Sequence, residues 1–433
     1  MQYNLYQVIT FFVWILIPFI SLFNKKLYKR LKVEKKQYDI ALRIKNNTNK
    51  IIIWIHAASG GEFEQIIPVL NNIDRKKYFI LLSFMSPTIY SIQKNTKLAD
   101  TVIYHPIDFY WNAKKFLNDF KPSFYILNRH DIWPNHIRLA KKMNVKVIII
   151  NFNIYEKSRR FQWFFKSFNR KIFSYFDKIY TGSDRMKTIA SKLVNNEVVE
   201  VIGDTRFNRV QERKKIAKNN LLPDSFCKTK NIIFGSIIDS DFPVIFAGLQ
   251  KKFPRGSKDL SKDNIGLIIT PHEIDKQTIL KLKNSLNNLK IDYVLYSDIK
   301  DNLEKNYPNT IIIDTVGILA DLYQYGRISY IGGGFGLGVH NVLEPAVYGC
   351  LVSFGPNMFI LDEAIDLYRK KLASIIIKKA DFYEYLYFLD SDKKYKHIKK
   401  ELKKYVSKRK CDIERMIGDI LIKNKITNYF FIF

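Results

Sequence analysis

Cysteine is scarce in this sequence: Cys227, Cys350 and Cys411 are the only three in 433 residues, far apart and without metal-ligand spacing. That excludes a disulfide framework and fits a reducing compartment. Glycine and proline are also few, 18 and 13 residues, which excludes a low-complexity or disordered chain. Acidic residues are outnumbered, 41 against 71 Lys and Arg, for a formal net charge of +30. Such an excess favours acidic partners, whether nucleic acid, anionic lipid or sugar phosphate, and does not by itself choose among them. No recognisable nucleic-acid module accompanies the charge, and the Lys runs read as solvated helix faces, so nucleic acid is not an expected partner.

Charge is missing altogether from residues 1–24, which are almost wholly apolar from Val8 to Phe23. As a helix the uncharged stretch would reach about 36 Å, enough to span a bilayer or to lie in its interface. It lacks the basic start and small-residue cleavage site of a signal peptide, so residues 1–25 are expected to be a retained membrane anchor. The cluster Lys25, Lys26, Lys29, Arg30, Lys32, Lys35 and Lys36 follows directly. By the positive-inside tendency it is expected to keep the rest of the chain on the cytoplasmic side of the membrane, and it can touch anionic headgroups.

What the chain has in plenty is apolar residues, 47% of the total, and a length beyond what one core usually fills. Short β-branched runs at 51–56, 79–84, 123–127, 145–151, 178–181 and 198–202 alternate with longer amphipathic stretches. A charged linker at 211–231 precedes a second series at 232–235, 265–270, 292–296, 310–313, 328–331 and 351–354. This rhythm predicts an α/β protein of two Rossmann-like, doubly wound domains, 26–215 and 216–400, facing a cleft, with a C-terminal helix and tail at 401–433. The aromatic end at 428–433 can pack on the body or touch lipid. In doubly wound sheets ligands bind beyond the carboxyl ends of the strands, and both chemical motifs fall there.

The first motif is Trp54-Ile-His-Ala-Ala-Ser-Gly-Gly-Glu62, a strand running into a small-residue turn and a helix start. The turn lets substrate approach the backbone, and a carboxylate held there can act as a general base for a sugar hydroxyl. By itself, an acid in a first helical turn is more often a dipole partner only. The second is Ile331-Gly-Gly-Gly-Phe-Gly-Leu-Gly-Val-His-Asn341-Val-Leu-Glu344. A glycine-dense loop between strand and helix suits a phosphate on Gly333 and Gly334, with Glu344 meeting ribose hydroxyls. It lacks dinucleotide spacing and a P-loop Lys, so a nucleotide sugar is the better ligand. A close-packed turn would account for one or two of these glycines rather than five. Two Asp-Ser-Asp triplets, Asp239 to Asp241 and Asp390 to Asp392, invite a metal; an acidic surface turn is the preferred reading, and no metal is expected.

These motifs, with Asp131-Ile-Trp-Pro-Asn135, Gly203-Asp-Thr-Arg206, Asp314-Thr-Val-Gly317 and Phe354-Gly-Pro-Asn357, occur in an order and spacing that resemble the 3-deoxy-D-manno-octulosonic acid (Kdo) transferases of lipopolysaccharide synthesis. The resemblance implies a GT-B fold, CMP-Kdo as donor substrate, a lipid A precursor as acceptor, and neither metal nor cofactor. It implies Glu62 as proton acceptor and Arg206, where the family usually has Lys, as the cation stabilising departing CMP. It places CMP on Pro271, His272, Val316, Gly317, Ile318, Asn341, Val342, Leu343 and Glu344. His272 stands where Arg is frequent, and Asn341 could equally be a loop cap. Arg129 replaces an assisting Glu, so Asp131 is expected to take over that role.

Overall fold

Strands buried on both faces need helices on both sides, which is what the uninterrupted Ile, Val and Phe runs require. The computed structural model describes residues 2–336 and 338–421; the aromatic end at 428–433 lies outside the described residues. The first sheet comprises β1 (Ile51–Ala57), β2 (Tyr78–Phe84), β3 (Thr101–Tyr104), β4 (Phe124–Asn128), β5 (Lys146–Phe152), β6 (Lys178–Thr181) and β7 (Val199–Val201). The second comprises β8 (Lys230–Ile237), β9 (Ile265–Pro271), β10 (Val294–Leu295), β11 (Thr310–Ile312), β12 (Gly326–Ile331), β13 (Leu351–Phe354) and β14 (Ala373–Ile375).

The orders are β3-β2-β1-β4-β5-β6-β7 and β10-β11-β9-β8-β12-β13-β14, with parallel pairing in each. The winding therefore reverses between β1 and β4, which pair Ile53 with Phe124, and between β8 and β12, which pair Phe234 with Tyr330. Ligand sites in doubly wound sheets form at such reversals. The loops after β1 and β4 carry Glu62 and Asp131, and those after β8 and β12 carry Asp241 and the glycine turn.

The chain divides into two units, one of residues up to Arg209 plus those from Lys410, the other Val210–Arg409. In the first, Trp54 stacks on Tyr125 at 3.8 Å on one face of the sheet. On the other, Ile413, Met416 and Ile420 of the helix Ile413–Leu421 join Phe63 and Phe84. That apolar stripe at helical spacing is why the C-terminal segment returns to the first unit. Residues 401–433, expected as one separate segment, are divided instead: the helix Asp392–Lys408 runs through residue 401 within the second unit. Strands β3 and β14 were not expected from the sequence. Both are short edge strands, where a period-2 pattern has few residues in which to show. The strand expected at 292–296 narrows to β10, because Tyr296–Ile299 turns helical.

Two helices precede β1: α1 (Gln2–Phe23) and α2 (Lys25–Asn46). By length and composition α1 could cross a membrane.

Candidate functional site

After β1 the chain turns at Ala58-Ser59 into α3 (Gly60–Asn71), with Ser59 as N-cap accepting the Glu62 N–H at 3.4 Å. The Glu62 carboxylate folds back over the turn and accepts the Ala58 N–H at 2.7 Å. An acid at the third helical position closes a capping box in this way, but here it grips one residue earlier than usual. Glu62 is 7% exposed. Burial raises its pKa above the ordinary carboxyl range and Asp131 adds to the rise, while the Ala58 N–H, His56 and Arg129 oppose it. A raised carboxyl pKa is the shift that general-base chemistry requires.

Asp131 belongs to the same cluster, its Oδ2 bound by His56 Nε2 at 2.7 Å and Trp133 Nε1 at 3.1 Å. The other ring nitrogen of His56 lies 3.0 Å from the Ser83 carbonyl, which fixes the imidazole with its Nε2 toward Asp131. Arg129 follows β4 in left-handed backbone, φ 58°, and its positive charge acts on both Glu62 and Asp204. Arg206 is committed to its neighbour: Nη2 meets Asp204 Oδ2 at 2.7 Å, and Nε lies 3.1 and 3.0 Å from the two carboxylate oxygens. Burial would raise the Asp204 carboxyl, but Arg206 holds it below its usual range. Asp204 thus fixes the orientation of the Arg206 guanidinium.

A chain of amides that the sequence did not mark as functional ties these loops together. Asn128 Nδ2 donates to the Glu62 carbonyl at 3.2 Å, Asn151 Nδ2 to Asn128 Oδ1 at 2.8 Å, and Thr205 N–H to Asn151 Oδ1 at 3.0 Å. Asn128 ends β4 and Asn151 lies near the end of β5. Two polar residues closing otherwise apolar strands were the available signal.

In the second unit the glycine loop is filled by the protein itself. Asp241, buried in the turn after β8, accepts the Gly333 N–H at 3.0 Å, the Ile238 N–H at 2.9 Å and the Tyr330 hydroxyl at 2.9 Å. The amides of Gly332, Gly336, Gly338 and His340 bond to backbone carbonyls. A Cβ on Gly332 would meet Ser236 O at 2.2 Å, and one on Gly334 would meet Gly355 N at 2.5 Å. On Gly333 it would meet Gly338 O at 2.4 Å and on Gly336 the Ile238 side chain at 2.8 Å, so close packing explains four of the five glycines rather than one or two, and the Gly333 N–H, assigned to a phosphate, is bonded to Asp241. Val342 and Leu343 are completely buried. Asn341 Oδ1 accepts the Leu343 N–H at 3.0 Å, so it caps the helix Leu343–Tyr348. Glu344 lies 3.9 Å from Arg213. Pro271 ends β9; the His272 ring after it stacks on His340 at 4.3 Å and 14°. Burial and His272 push the His340 pKa down to about 4, so its ring is neutral near pH 7. Val316 is 85% exposed and precedes Gly317 at φ 90° and Ile318, which caps a short helix.

Residues 25–209 match the family model described as 3-deoxy-D-manno-octulosonic-acid transferase (kdotransferase). The Kdo transferase of Chlamydia pneumoniae is 26% identical over 365 residues, 80% of each chain. Over most of its length this chain is similar to Kdo transferases. A bifunctional glycosyltransferase/methyltransferase of Fusobacterium nucleatum is 26% identical over 389 residues, 85% of this chain; the chain spans only 58% of that protein's length. A glycosyltransferase structure from Rickettsia africae matches at TM-score 0.56 and 13% identity, over 87% of this chain and 100% of that one, a likeness of fold. The fold class is GT-B.

In this chain the acidic triplets are engaged structurally. Asp239 pairs with Lys281, Asp390 with Lys252 and Asp392 with Arg327, while Asp241 locks the loop. Among the described residues there is no group of three or more His, Cys, Asp or Glu fit to hold a metal. Asp131, bound to His56 at 2.7 Å, is the acid expected to take over the role of the one that Arg129 replaces. Asp131→Asn is expected to lower turnover about 10²-fold because the amide keeps an acceptor for His56 but loses the negative charge, and undiminished turnover would rule out its assisting role.

Proposed function

We propose that the protein transfers Kdo from CMP-Kdo to a lipid A precursor (lipid IVA) by direct displacement, with inversion and without a metal, at the cytoplasmic face of the inner membrane. The observation that carries this reading is Glu62: a desolvated carboxyl at the sheet reversal, oriented by one backbone N–H and surrounded by His56, Asp131 and Arg129. Glu62 takes the proton from a glucosamine hydroxyl as its oxygen attacks the anomeric carbon. Arg206, oriented by Asp204, is the proposed cation for the phosphate of departing CMP. The second unit is proposed to hold CMP through His272, the neutral His340 and the backbone from Asn341 to Glu344, with the Val316–Ile318 loop against the nucleoside.

Purified protein incubated with CMP-Kdo and a tetraacylated lipid A precursor should yield a lipid heavier by one or more Kdo units on mass spectrometry. CMP should inhibit and UDP should not. Inhibition by UDP alone, with no Kdo transferred, would indicate a UDP-sugar transferase instead. Turnover should persist in excess EDTA; its abolition, restored by a divalent cation, would overturn the metal-free mechanism.

A further inference from the structure

The first helix has its polar side toward the protein and its apolar side toward the outside, the reverse of a helix on a soluble surface. Tyr3 donates to Asn135 Oδ1 at 2.6 Å, Tyr6 to Asp108 Oδ2 at 2.6 Å, and Gln2 Nε2 to the Phe164 carbonyl at 2.8 Å. Gln7 also bonds Asn135. Further along, Trp14 packs edge-on against Trp111 at 5.2 Å, Ile17 lines a cavity with Leu31 and Tyr38, and Ser21 is buried. Residues 3, 6, 7, 14, 17 and 21 repeat at three and four, so one stripe of α1 is occupied by the body along almost its whole length. The opposite side is bare: Phe12 is 58% exposed, Phe19 63%, Leu22 72% and Phe23 92%.

A helix crossing a bilayer must leave its ends on opposite sides. With this stripe engaged, α1 could cross only by drawing Asp108, Asn135 and the helix Pro134–Lys142 that holds Asn135 into hydrocarbon, at a cost of several kcal/mol for each polar group left without water or a partner. We propose that α1 does not span the bilayer but lies in its plane, its outward face sunk in an anionic lipid surface, with Trp163 and Phe165 as a second insertion point. This rests on the membrane association in the functional reading above. Trp163 is 87% exposed and Phe165 43%, and the Gln2 to Phe164 bond joins that helix start to α1. Trp suits the headgroup level. Exposed Lys25, Lys29, Lys32, Lys35 and Lys36 on α2 complement anionic headgroups. An aqueous protein partner would leave the charge-free, 22-residue length without a reason; a bilayer supplies one.

The test uses the full chain with a short hydrophilic tag carrying a protease site ahead of Met1, expressed in bacteria, in spheroplasts and in inside-out vesicles. Native Cys227, exposed while Cys350 and Cys411 are buried, reports the side of the body through an impermeant maleimide. Cleavage of the tag from the face that labels Cys227 is the expected result; cleavage only from the opposite face would overturn the in-plane helix. Flotation with phosphatidylethanolamine vesicles containing phosphatidylglycerol separates the two ideas, since failure to float sinks membrane association itself. Trp163→Ser combined with Phe165→Ser should weaken vesicle binding by about tenfold or more with an unchanged far-UV spectrum. Unchanged binding would overturn the second insertion point.

Discussion

Glu62→Gln is expected to lower turnover by about 10²–10⁴-fold, with CMP affinity and far-UV spectrum unchanged. Gln keeps the shape and an oxygen to accept the Ala58 N–H but cannot take a proton. Because burial raises the Glu62 pKa, the acid limb of the pH–rate profile should stand above the ordinary carboxyl range. In the variant that limb should be missing from the residual rate. The stability effect has the opposite sign. A folded-state pKa above the unfolded one means the folded chain holds this proton more tightly, so stability falls as pH climbs from the ordinary carboxyl pKa to the raised one. At pH 8 the whole of that cost is present in the wild type and absent in Glu62→Gln, whose Tm should equal or exceed the wild-type value. A variant with wild-type turnover would remove Glu62 as the base; one that is inactive and several degrees less stable would mean that the carboxylate serves the fold.

Asp241→Ala should be the most damaging single change in the second unit. It leaves the Ile238 and Gly333 N–H groups and the Tyr330 hydroxyl without their acceptor in a site closed to water, at about 1–3 kcal/mol for each donor. A loss of about 3–5 kcal/mol is expected, and Asp241→Asn should recover part of it by retaining one acceptor oxygen. All five tryptophans, at 14, 54, 111, 133 and 163, lie in the first unit, so urea unfolding followed by far-UV circular dichroism is the suitable measurement. A loss under about 1 kcal/mol, the net worth of one ordinary hydrogen bond, would show that Asp241 does not hold the glycine loop in place.

The same residues show how far local sequence reaches. Each long strand announced itself by a β-branched run, and motifs followed strand ends because a parallel sheet delivers its loops to one edge. Glu62 could be placed on a helix start and Asp131 after a strand without coordinates. The edge strands β3 and β14, and the division of residues 401–433, escaped because short elements and long-range packing leave little periodic trace.

Sequence by itself determined the two doubly wound sheets, the charge-free first helix and the positions of the candidate acids, since apolar period and turn chemistry are local properties. Tertiary structure alone decided which groups pair with one another: Arg206 with Asp204, the Gly333 amide with Asp241, and the polar stripe of α1 with the body. Those pairings join residues that lie far apart in the chain or compete for the same partner, and burial, which no local pattern records, sets the free energy that chooses between them.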